Sequence, residues 1–129
     1  MCLDVVTQRN LFPERKEILV YKYFAFSQMK GELYSPIQGP YREALPLGQW
    51  IKAKGFKDDH GWFRTGWYCY EKHPPFKDWK VGEVFGGWIL LAIKARGVVT
   101  RGTNGAWSAG YVSKIAIARE IFIPLIGGK

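Results

Sequence analysis

The sequence predicts one β-rich α+β domain over residues 1–129, built on a strongly twisted or barrel-like, mainly antiparallel sheet with one or two short helices. Three observations carry that expectation. Strand-length runs of β-branched and aromatic residues recur along the chain, at ILVYKYFAF, WFRTGWYCY, WILLAIKA and IAIAREIFI. Prolines and glycines break the long segment between the first two of these runs and forbid a long helix there. At 129 residues and 47% hydrophobic, the chain is long enough for one packed core and too apolar for disorder.

Residues 1–16 show no sustained period, and Pro13 followed by Glu14, Arg15, Lys16 and Glu17 reads as an exposed approach, so this segment is expected to be a loosely held arm. Ile18 to Phe26 is expected as a buried strand. Gly31 can take the positive φ that would return the chain, as a hairpin, into ELYS. The segment SPIQGPYREALPLGQW, with three prolines and two glycines, is expected as a surface loop with at most a single helical turn at 41–44. From Gln49 to Lys54, Trp50, Lys52 and Lys54 alternate with Ile51 and Ala53, the period of a half-buried strand.

GFKDDHG turns the chain into WFRTGWYCY, and Pro75 suits the first turn of a short helix that Gly82 would end. Trp88 to Ala95 is apolar on both alternating faces as far as Lys94, which fits a central strand covered on both sides. The pair Asn104-Gly105 is a hairpin signal, after which Tyr111 to Ala118 and EIFIP form a long last strand. The sum is five to seven strands. Gly-Trp recurs at 61, 66 and 87 without shared flanks and defines no repeat.

The net charge of +8 is unevenly placed: no acidic residue occurs between Val84 and Arg119, while Lys94, Arg96, Arg101, Lys114 and Arg119 all do. On one shared face those side chains would attract nucleic acid, a nucleotide or an acidic protein surface. A second concentration interleaves rings and cations, with Trp50, Lys52, Lys54, Arg64, Trp67, Tyr68, Tyr70, Lys72, Lys77 and Lys80 in one region. Single-strand binders use such pairs, stacking bases on rings while cations hold the backbone. Alternation ties the two outcomes together: if Trp67 faces inwards, Tyr68 and Tyr70 face out.

Catalytic and metal motifs are incomplete. His60, Cys69 and His73 are able ligands, but Cys69-x-x-x-His73 is a lone pair ahead of Pro74-Pro75, and no metal or cofactor is expected. Cys69 and His73 on a strand would not reliably face each other as nucleophile and base. Asp58-Asp59 reads as a solvated turn, and the glycine pairs lack the strand-to-helix setting that cradles phosphate. Cys2 and Cys69 read as reduced thiols; with no leader and no membrane-length apolar run, the expected location is the cytoplasm.

The order VYKYF, GELYSPIQGPY, TGWYCYEKHPPFKDW, GGWILLAIKARG and AGYVSKIAIAREIFI is similar to that of small uncharacterised proteins of bacteria and their phages. The likeness covers most of residues 20–123. It implies a phage-related protein and transfers no activity. A more distant likeness is to ADP-ribosyltransferase-like folds, which would direct attention to Tyr21 or Lys22, the Tyr68–Tyr70 strand and Glu120. No His-Tyr-Glu or Arg-Ser-Glu set is present, and a shared fold does not establish an activity. The leading expectation is therefore a small basic binding protein that contacts an anionic partner, namely nucleic acid, a nucleoprotein complex or an acidic protein surface. The alternative is a small nucleotide-using transferase with its pocket beside Trp67, Tyr68 and Tyr70.

Overall fold

The computed structural model describes residues 5–34, 44–53, 56–57, 63–64, 66–74, 79–105 and 113–125. Ten strands occur among them: β1 (Val5–Arg9), β2 (Ile18–Ser27), β3 (Glu32–Tyr34), β4 (Trp50–Lys52), β5 (Phe56–Lys57), β6 (Phe63–Arg64), β7 (Trp67–Tyr70), β8 (Val84–Phe85), β9 (Trp88–Asn104) and β10 (Ser113–Phe122). The count exceeds the expected five to seven because β5, β6 and β8 are two-residue pieces, too short to leave a period in the sequence. The described residues contain no helix. Of the helical turn expected at 41–44 and the helix expected from Pro75 to Gly82, residues 41–43 and 75–78 lie outside the described residues, while Ala44 and 79–82 are described and not helical.

Eight strands form one antiparallel sheet, and β5 pairs with β6 as a separate ribbon. The pairings run in a closed circuit: β9 with β10, β10 with β7, β7 with β2 at Tyr70 and Tyr21, and β2 back to β9. Alternation decides which side chains enter the enclosed space. On β2, Val20 and Phe24 are fully buried together with Lys22, while Tyr21 and Tyr23 face outwards and are partly covered. Ile89, Leu91, Ile93 and Ala95 of β9, Trp67 and Cys69 of β7, and Ala116, Ala118 and Ile121 of β10 complete the main core. Each large apolar side chain so buried contributes about 1.5–3 kcal/mol.

The hairpin through Gly31 is present, with φ 66° at Gly31 and its amide bonded to the Ser27 carbonyl at 2.7 Å. A second hairpin lies where the sequence reading placed no turn: Phe85 pairs with Trp88 across Gly86 and Gly87, whose φ angles of 58° and 81° make the mirror-type turn that matches strand twist. Asn104 does end β9, but its strand partner is Ser113, so the two strands are joined through residues 105–112 and not by a two-residue turn.

β9 continues far past Ala95 because β1 and β10 pair with its second half from both sides. The register slips at Val99, an extra residue in β9 opposite Ile117 and Ala118. Next to it Gly97 has φ 74°, and a Cβ there would press on Arg119. The segment read as an arm contains β1, whose side chains are all exposed, and a stretch bonded to this bulge. Asn10 N–H donates to Val99 O at 2.9 Å, Glu14 N–H to Val98 O at 3.0 Å, and Gly97 N–H to Glu14 O at 3.0 Å.

Candidate functional site

The cations singled out from the sequence separate onto different parts of the barrel, because strand register, not chain order, sets their neighbours. Lys94 and Arg96 lie on the outward side of β9, since Ala95 between them points into the core. Phe122 of β10 is opposite Lys94, and Trp50 of β4 is opposite Phe122; one register step away Arg96 is opposite Glu120, and Glu120 opposite Lys52. Two adjacent rows therefore cross β9, β10 and β4 on one outer face.

That face is built from ring and cation contacts. The Arg96 guanidinium lies 3.9 Å from the Trp50 ring centroid and donates to Glu120 Oε2 at 3.1 Å. Trp50 is 5.6 Å from Phe122, and Lys94 Nζ is 5.9 Å from the Phe122 centroid. Lys52 and Lys94 are exposed on it; Arg119 is also exposed, but as the neighbour of Glu120 along β10 it alternates to the other side of the strand. A guanidinium held against indole and bonded to a carboxylate has lost much of its rotational freedom, and the Arg96 side chain is still 37% exposed.

Arg101 is placed differently. Its Nε and Nη2 donate to Glu14 at 3.1 and 2.9 Å, and Nη1 donates to Glu71. It borders a cleft of about 400 Å³ together with Gln8, Lys16 and both glutamates. Two carboxylates on one guanidinium leave it little attraction for an external anion. The Arg101 bond, outweighing partial burial, holds the Glu14 carboxyl below its usual range. The acid-free run between Val84 and Arg119 is thus supplied with carboxylates from elsewhere in the chain, at Arg101 by Glu14 and Glu71 and at Arg96 by Glu120.

Trp67 points inwards and is 5% exposed, its indole N–H donating to Ile51 O at 3.2 Å, so Tyr68 and Tyr70 take the outward side of β7. Tyr70 meets Tyr23 edge-on at 5.8 Å, and Tyr23 in turn meets Trp79 at 4.9 Å. Leu90, opposite Tyr23, is fully buried on this side. These rings form a second small core. Burial, with Tyr70 adding to it, pushes the Tyr23 hydroxyl up to about 12, and burial also raises Tyr70. Lys72 and Lys80 are exposed close to it in sequence, and Lys114 is exposed at the start of β10 opposite Thr103. Lys54, Lys77 and the side chain of Arg64 lie outside the described residues.

The ligand and transferase candidates are also separated. Cys69 is inside, 1% exposed, its thiol facing Trp67 O and pushed up to about 11 by burial against a smaller opposing effect of Lys22. His73 is exposed, with its ring 5.7 Å from Tyr21; Nδ1 lies 2.8 Å from Pro74 O, which requires the proton on that nitrogen. His60 and Cys2 lie outside the described residues, among which no group of three metal-ligating side chains occurs. Lys22 is interior, Tyr21 is on the outer side of β2, and Glu120 is engaged by Arg96.

Two features escaped the sequence reading. The interior position of Lys22 was signalled by its alternation with Val20 and Phe24. The role of Phe122 depends on register and left no sequence signal. Comparison with protein-family models, curated proteins and solved structures finds no match.

Proposed function

We propose that the protein binds an anionic macromolecule through the outward face of β4, β10 and β9. The observation that carries this reading is the juxtaposition of the exposed Lys52 and Lys94 with the Trp50 and Phe122 rings, where Glu120 orients Arg96 against Trp50. Cations in that arrangement attract phosphates or carboxylates at long range, and the rings supply contact area at close range. The net charge of +8 strengthens the attraction. Nucleic acid, a nucleoprotein complex and an acidic protein surface all carry the required charge. No helix among the described residues is long and apolar enough to cross a membrane; we place the protein in the cytoplasm on the ground of its two cysteines, read as reduced thiols.

The test is association with nucleic acid and with heparin across a salt series. Binding that weakens steeply with salt supports the reading, and replacing Lys52 and Lys94 together by Gln should flatten the slope by about one unit per lost phosphate contact. Absence of association with either polyanion at low salt would remove it.

A further inference from the structure

The exposed side of Arg96 differs from an ordinary surface cation. Its guanidinium lies 3.9 Å from the Trp50 centroid and donates to Glu120 at 3.1 Å, and its side chain remains 37% exposed. Glu120 offsets its charge, so Arg96 adds little to bulk attraction while offering a flat, weakly hydrated surface. In the adjacent row Phe122 presents a second ring 5.6 Å from Trp50, and the exposed Lys94 lies opposite it with Nζ 5.9 Å from its centroid. Planar surfaces bordered by flexible cations match unpaired nucleotides, whose bases stack and whose phosphates seek charge. A duplex hides its base faces, and an acidic protein surface offers carboxylates without a regular series of stackable rings beside them.

Resting on the polyanion reading above, we infer that the partner is a single-stranded nucleic acid whose bases stack on the Arg96–Trp50 platform and beside Phe122, with Lys94 holding its phosphates.

The experiment compares the binding of labelled oligothymidylate and oligouridylate, a DNA duplex of equal length, and heparin by fluorescence anisotropy, using wild-type protein, Arg96→Lys and Trp50→Ala. Arg96→Lys preserves charge and removes the plane, so it keeps the test valid if Trp50→Ala fails to fold. The expected result is tighter binding of the single strands than of the duplex, and about a ten-fold loss for single strands in Arg96→Lys with heparin binding unchanged. Equal binding of single strand, duplex and heparin, unmoved by Arg96→Lys, would overturn the stacking inference and leave the polyanion reading intact. No binding to any of them at low salt would overturn both.

Discussion

Lys22 donates a 2.5 Å hydrogen bond to the Tyr68 carbonyl from within the closed strand circuit, where its side chain lies beside the apolar core. Its Nζ is 5.9 Å from the ring centroids of Phe24 and Trp67. An ammonium in that setting has lost its water, and burial lowers its pKa below 10.5, with Cys69 acting weakly in the opposite direction.

Replacing Lys22 with Met should therefore raise stability near neutral pH, on the order of 1–2 kcal/mol, because a costly polar end is exchanged for an apolar one of similar length. The sign with pH follows from linkage. Between the lowered folded pKa and 10.5, the unfolded chain holds the extra proton, so wild-type stability rises with pH through that window. Urea unfolding of both proteins should show the advantage of Lys22→Met shrinking as pH approaches 10.5. A constant difference would contradict a lowered Lys22 pKa.

Arg101 joins β9 to the N-terminal segment through Glu14 and to the end of β7 through Glu71. Because the folded pKa of Glu14 is depressed, its contribution is present above the ordinary value of 4.5 and is lost as pH falls through the folded value. The paired side chains are 17% and 19% exposed but border a cleft, so the worth of the pair is about 1 kcal/mol. Hydrogen exchange should show the amides of Val5–Asn10 exchanging faster in Glu14→Gln and in acidified wild type. Unchanged protection in the variant would mean that backbone bonds alone hold the segment.

Gly66 precedes Trp67 where β7 comes alongside β10, and a Cβ there would run into Ile117 Cγ2. Gly66→Ala should cost about 1–3 kcal/mol by overpacking. Ile117→Ala removes the obstructing methyl, so the double variant should be less destabilised than the sum of the two singles. Strict additivity in thermal unfolding would contradict the proposed clash.

How far these relationships were legible in the sequence depended on their range. Composition marked Ile18–Phe26 as a strand, of which Val20, Lys22 and Phe24 are buried and Leu19 is exposed, and it marked the central place of Trp88–Ala95; alternation, a local period of two, showed the inward side of Gln49–Lys54 at Ile51. It also made the sides of Trp67 and Tyr70 a single choice, which the structure decides. Pairing register is not local. Nothing near Arg101 in the chain announces Glu14 or Glu71, and nothing near Arg96 announces Trp50, so the basic segment looked uniform when one of its arginines is consumed by carboxylates and another is turned into a platform. Gly86-Gly87 carried a turn signal in its composition, while the strand character of the glycine-containing part of β9 came from partners on both sides and from the bulge at Val99.

Cys69 supplies a test of the interior independent of Lys22. Its thiol, pushed up to about 11, contributes stability that is present below the ordinary value of 9 and lost as pH rises from there through the folded value. Burial at 1% exposure should also make it inert to alkylation in the native protein. Iodoacetamide labelling, followed on the peptide that contains Cys69, should speed up only across the urea unfolding transition. Free-thiol reactivity in native buffer would contradict the interior assignment.

The central claim is that one outer face, and not the basic chain at large, meets the anionic partner. Amide chemical shifts recorded during titration with oligothymidylate test this most directly. The account predicts perturbations concentrated at Trp50–Lys52, Lys94–Arg96 and Arg119–Phe122, with Arg101 and the β1 segment little moved. Perturbations centred on Glu14, Glu71 and Arg101, or spread evenly over all exposed lysines, would contradict it.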